Sequence, residues 1–250
     1  DKVRLAIDAG TLRELLESGM SRHELELELA SRAAAAMGIR AATADPEMPV
    51  AVADRLRADG VVLHLDDDAI SARRRVKSAP ELAGTRRAQI AAEAGMSAAA
   101  VLLGRSHRDG VRLKLDGDLL TAEAVRAAVR DVCQAHGAPA PPDIIVSSPW
   151  SGFGHDPGSG PLPADLPIVI DLWPRDETSG CWADMTRTFV VGEVSEQVRA
   201  MEALVLEAIE RAREAVAPGI TGRELYDLVC DLFEPAGHRT QRTERGDDPN

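Results

Sequence analysis

The chain has 250 residues, 44% hydrophobic and 28% charged, which is enough material for one or two globular domains with a buried core. Its formal net charge of −12 argues against a surface for nucleic-acid phosphates or anionic membranes. With only 3% aromatic residues, aliphatic side chains and alanine must fill the core, and base stacking is disfavoured. Three widely spaced cysteines, Cys133, Cys181 and Cys230, read as reduced thiols of a cytoplasmic protein and not as a disulfide framework. No apolar run reaches the roughly 18 residues of a membrane span, and no signal peptide is visible. Asp1 and the polar tail TERGDDPN both read as cut ends.

In chain order, residues 11–39 carry apolar residues at helical spacing. They divide into two helices at Ser18-Gly19, the second opened by Ser21 and Glu24 in capping-box spacing. Residues 50–59 predict a helix and 61–65 a strand; the three aspartates at 66–68 read as a solvated turn. The basic run from Arg73 to Lys77 reads as a solvated edge beside a domain boundary. Ser78, Pro80 and Glu81 start a long alanine-rich helix that reaches about Leu103. RSHRDGVRLKLDGDLL reads as a polar connector with a short turn at Asp116-Gly117. Thr121 caps a further helix, which Gly137 stops, and APAPPD forms a stiff extended linker.

DIIVSS at 143–148 predicts a strand, followed by a Gly/Pro/Ser loop that carries His155. PIVID ends on Asp171, and DMTRTFVV begins on Asp184; with the polar turn between them they predict a hairpin. Two amphipathic helices follow, one from Ser195 and one from Thr221, the latter with Glu224 in capping-box spacing. The order of elements predicts an α+β fold, with helices laid over an antiparallel sheet.

The hairpin sets up the chemistry. Alternation places Asp184, Thr186 and Thr188 on one face of the second strand. Opposed carboxylates destabilise a hairpin, and a carboxylate closing an apolar run is costly to bury. A cation between Asp171 and Asp184 removes both costs, and hard carboxylate ligands suit Mn²⁺ or Mg²⁺, with Zn²⁺ or Co²⁺ if a histidine joins. A second reading stays open at this point: Asp171 caps a turn, and Asp184 starts a strand and pairs with Arg187 or Arg175. His155 likewise reads either as an acid/base or substrate-binding group reaching into a cleft at the sheet, or as a loop histidine in water.

The string formed by Asp171, Gly180, Asp184, Thr186, Arg187, Thr188 and Phe189 resembles the motif of the pita-bread metallopeptidases. Its nearest branch is the Xaa-Pro aminopeptidase and prolidase group, related to methionine aminopeptidase and creatinase. KSAPELAGTRRAQIAAEA resembles that family's entry into its catalytic domain. The resemblance covers about 77–250, the amino-terminal half of a pita-bread domain. Residues 1–76 look like the end of a small α/β creatinase-like amino-terminal domain.

The resemblance implies a metal-dependent aminopeptidase or dipeptidase that cleaves the bond before proline through water activated by two divalent metals. Manganese is the first expectation and cobalt or zinc the alternatives. It implies Asp171 and Asp184 as metal ligands, with Asp184 bridging, and His155 as the group that contacts substrate and assists proton transfer. Thr186 matches a residue beside the metals. Expected partners are peptides with proline at the second position, and a second copy in a homodimer. The segment between the aspartates is longer than in many members because of PRDETSG, which suggests a subgroup. The family's remaining ligands, a histidine and two glutamates, are expected beyond Asn250, so these residues alone are expected to be inactive. Two alternatives remain: a peptide-binding module of the same fold without catalysis, and a metal-independent hydrolase of the creatinase kind.

Overall fold

A computed structural model describes residues 9–149 and 155–243. The chain divides into two compact units, Asp1–Ser78 and Ala79–Asn250.

The first unit contains α1 (Ala9–Glu17), α2 (Arg22–Ala36), β1 (Ala41–Ala44), α3 (Val50–Ala58), β2 (Val62–Leu65) and α4 (Asp67–Arg75). The Ser21 hydroxyl accepts from the Glu24 amide while the Glu24 carboxylate accepts from the Ser21 amide at 2.8 Å, so the capping box that opens α2 forms. β1 and β2 pair in parallel, Ala41 opposite Val62, with α3 as the crossover. Arg55 of α3 donates to Glu28 of α2 at 2.7 Å and ties the two helices together. One element is new here and one sequence expectation changes. AATA forms β1, although it is too short and too rich in alanine to show a strand pattern. The aspartates at 66–68 enter α4 directly: the Asp66 carboxylate accepts from the Asp68 amide at 3.0 Å and turns the chain into the helix.

The second unit contains α5 (Ala79–Arg105), β3 (His107–Asp109), β4 (Arg112–Leu115), β5 (Asp118–Leu119), α6 (Ala122–Ala135), β6 (Ile145–Ser147), β7 (Ile168–Leu172), β8 (Met185–Phe189), α7 (Glu196–Ala215) and α8 (Gly222–Phe233). Small residues let α5 and α6 pack closely. Ala88, Ala91, Ala92, Gly95 and Ala99 of α5 are buried, and a Cβ on Gly95 would lie 2.8 Å from Cys133 Sγ of α6. With Val125 and Val129 of α6, these residues join Val146, Ile168, Ile170, Leu172 and Met185 in one core. The helix pair therefore covers one face of an antiparallel sheet ordered β6-β7-β8.

The segment read as a polar connector is a three-stranded antiparallel meander, β3-β4-β5. The turn at Asp116-Gly117 is present, both residues having positive φ (53° and 96°), as a two-residue hairpin loop requires. Leu113 anchors the meander in the core, while the polar residues around it hide the strand pattern. The end of the Gly/Pro/Ser loop runs beside this meander: Leu113 donates to the Leu162 carbonyl at 3.0 Å, and Leu162 to that of Leu120 at 2.9 Å.

Candidate metal centre

The hairpin forms as β7 and β8, one residue later than expected at the second strand. Its register sets Asp171 opposite Thr186 and Leu172 opposite Met185. On its other side Asp171 faces Ile145 of β6. Along β7, Ile168, Ile170 and Leu172 are fully buried against the helices, so Val169 and Asp171 lie on the opposite face. Asp184 directly precedes β8, two residues from Thr186, and shares that face. Both aspartates thus stand on the side of the sheet turned away from the α5/α6 core.

The pair interacts. The Asp184 carboxyl is pushed above its ordinary value, first by partial burial, then by repulsion from Asp171 and by a hydrogen bond with it. Thr186 Oγ1 donates to Asp171 Oδ1 at 2.7 Å and orients that carboxylate. The arginine reading is not realised. Arg187 donates to the Thr186 carbonyl at 2.7 Å. Arg175 donates to the Gly180 carbonyl at 3.1 Å, its guanidinium 5.4 Å from the Trp182 ring centre. The donor set suits a hard divalent cation, since two carboxylates that repel each other are relieved by a positive charge between them.

His155 is exposed. Among the described residues, no group of three or more His, Cys, Asp or Glu is placed to hold a metal ion. The chain just after it is firmly held. Arg126 of α6 donates to the carbonyls of Ile144 at 2.9 Å and Gly158 at 2.8 Å, and also to that of Pro157. The Glu123 carboxylate accepts from the Gly160 amide at 3.0 Å. Gly158 has φ +75°, and a Cβ there would lie 2.0 Å from the Val146 carbonyl oxygen, so only glycine fits.

Sequence reasoning missed one feature of the site's surroundings. Asp176, in the middle of PRDETSG, is 3% exposed and is the one buried charged residue among those described. Arg87 of α5 grips it with two bonds, Nε to Oδ1 and Nη2 to Oδ2, both 2.8 Å. The Ser179 amide and hydroxyl also donate to Oδ2, at 2.8 and 2.5 Å. Arg87 first, and Ser179 after it, hold the Asp176 carboxyl far below the usual carboxylate range. The partners are 89 positions apart, so no local pattern joins them.

The chain is similar to known metallopeptidases. The model of metallopeptidase family M24 matches residues 83–246. An Xaa-Pro dipeptidase from Pyrococcus furiosus is 36% identical over 118 residues, a match covering 46% of this chain and 33% of that protein. Among solved structures, the prolidase from Pyrococcus furiosus superposes with a TM-score of 0.65 at 24% identity, over 79% of this chain and 56% of that one. An Xaa-Pro dipeptidase from Bacillus anthracis gives a TM-score of 0.68 at 20% identity, over 88% of this chain and 58% of that one. At these identities the structural likeness shows the fold, the α+β pita-bread type. The chain spans a third to somewhat over half of the length of these relatives.

Proposed function

The chain belongs to metallopeptidase family M24, in its Xaa-Pro aminopeptidase and prolidase branch, and from that premise we propose that the protein hydrolyses the peptide bond before proline in peptides with proline at the second position. The observation that carries this reading is the convergence of Asp171 and Asp184 on one sheet face, with Thr186 donating to Asp171.

In this proposal Asp171 and Asp184 would be two of the residues that hold a pair of divalent ions. Manganese fits the carboxylate donors best, and cobalt and zinc are the alternatives. Bound metal supplies the activation of water for attack on the peptide carbonyl. The chain's own contributions are local. Asp171, turned by the Thr186 hydroxyl, offers an oriented carboxylate. His155, on the loop that Arg126 and Glu123 anchor to α6, positions the peptide and moves a proton at its imidazole. Residues 1–76 are assigned to a small creatinase-like domain and 77–250 to the amino-terminal half of the catalytic domain. A homodimer and a cytoplasmic location complete the proposal; the latter suits three free thiols.

The test is release of the first residue from Xaa-Pro dipeptides and from longer Xaa-Pro peptides by the purified full-length protein, after chelation and after resupply of Mn²⁺, Co²⁺ or Zn²⁺. Metal-dependent release supports the reading. Absence of turnover under every metal condition refutes it in favour of a peptide-binding module, and turnover that survives chelation points to a creatinase-like, metal-independent hydrolase.

A further inference from the structure

The two carboxylates are held unequally. Asp171 lies inside the sheet, bracketed by Ile145 and Thr186. Asp184 lies just beyond the last pair of the β7-β8 ladder, Leu172 opposite Met185. The isolated bridge of Arg175 with Trp182 continues the same register beyond it, so the place of Asp184 depends on the neck of the excursion 173–183 staying closed. Two like charges at the mouth of an unrestrained loop would drift apart.

This excursion is docked at several points. Its neck is closed beside Asp184, where the Ala183 amide donates to the Pro174 carbonyl at 3.1 Å and Arg175 bridges to Trp182. The amides of Arg175 and Glu177 donate, each at 3.1 Å, to the carbonyls of Pro139 and Gly137 in the segment after α6. Its tip is tied inward: the Asp176 amide donates to the Cys181 carbonyl at 2.9 Å, and Gly180 to the Asp176 carbonyl at 2.8 Å. The side-chain anchor is the two-pronged Arg87–Asp176 pair, with Ser179 as a third hand on the same carboxylate. α5 is shaped to receive it. A Cβ on Gly84 would lie 2.0 Å from Ser179 Oγ, so the helix presents bare backbone where the loop lands.

We propose that Arg87 and Asp176 are positioning residues for the Asp171/Asp184 pair: their ion pair clamps the excursion 173–183 onto α5 and so fixes the separation of the two carboxylates. The inference rests on the metal-binding reading above. It explains why a loop longer than a tight hairpin needs is compatible with a fixed pair of ligands. A planar guanidinium is also the right clamp, because its fork fixes direction as well as distance, which an ammonium does not.

The test measures Mn²⁺ affinity by calorimetry and the Mn²⁺ electron paramagnetic resonance spectrum, with thermal unfolding in parallel, on the purified full-length protein. Variants are Arg87→Gln, Arg87→Lys, Asp176→Asn and Gly84→Ala, with Asp171→Asn and Asp184→Asn as site controls. R87Q and D176N are expected to weaken Mn²⁺ binding about 10- to 100-fold and to alter the spectrum while the protein remains folded. R87K, which keeps the charge and loses the fork, is expected to fall in between. G84A, which displaces the loop without removing a charge, is expected to weaken binding as well, and it carries the test together with R87K if the other two do not fold. A merely structural role would lower the melting temperature and leave Mn²⁺ binding by the folded protein unchanged. Wild-type affinity and spectrum in every folded variant, with binding lost in D171N and D184N, overturns this inference alone. Unchanged binding in D171N and D184N overturns the metal reading and this inference with it.

Discussion

Thr186 makes the most specific contact in the candidate site, a 2.7 Å hydrogen bond onto Asp171. Its hydroxyl, not its bulk, does this work. Thr186→Val is therefore expected to weaken divalent-metal binding about 10- to 100-fold, and Thr186→Ser to retain most of it, measured by calorimetric titration; equal affinity in both would remove Thr186 from the site. Asp176 governs a different property, acid stability. Its carboxyl is held below its unfolded value by Arg87 and Ser179, so its contribution is present above the unfolded carboxylate range of about 4 and is lost as pH falls below it. The wild-type melting temperature should accordingly fall more steeply below about pH 4 than that of Asp176→Asn, whereas at pH 7 the variant should be the less stable. Parallel melting curves across this range would contradict the assignment. Asp171, Asp184 and Thr186 were legible in the sequence because they lie within one hairpin, where alternation alone tells which side chains share a face. Asp176 was not, because its partner is contributed by a distant helix turn.

The helices were the most legible elements. Ser21, Thr121, Ser195 and Thr221 each accept a bond from a first-turn amide, and a capping residue followed by a periodic apolar stripe announces itself locally. Strands were legible where one face is buried, as in β7, where the register follows from alternation. The β3-β5 meander was not, since its strands are mostly exposed and only Leu113 is fully buried. The loop 157–160 is an intermediate case: its glycines were visible, but the reason for one of them is the Val146 carbonyl packed against it. Gly158→Ala combines that clash with a left-handed backbone and should destabilise the protein by at least about 1 kcal/mol. Thr121→Ala, which removes only the cap of α6, should cost about 1 kcal/mol. Urea unfolding measures both losses and a turnover assay distinguishes the two, because loss of the loop's seat should also weaken Xaa-Pro turnover through His155, while loss of the cap should not.

Across the molecule, the family model begins at residue 83, near the start of the second unit, and the carboxylate pair, its anchoring helix and the His155 loop all belong to that unit. The core that supports them is built largely from alanine and leucine, with valine and isoleucine, as the scarcity of aromatic residues required. One face of the β6-β7-β8 sheet is committed to this core, which leaves the other to carry Asp171, Asp184 and Thr186. On the proposed reading this face holds divalent metal between two carboxylates. Diffraction from crystals of the protein soaked in Mn²⁺, recorded near the manganese absorption edge, tests it most directly. An anomalous peak is expected within about 2.0–2.6 Å of oxygens of both Asp171 and Asp184, the range of hard divalent cations on carboxylates, together with its loss in Asp184→Asn. Manganese bound only elsewhere, or a peak that persists unchanged without the Asp184 carboxylate, would contradict it.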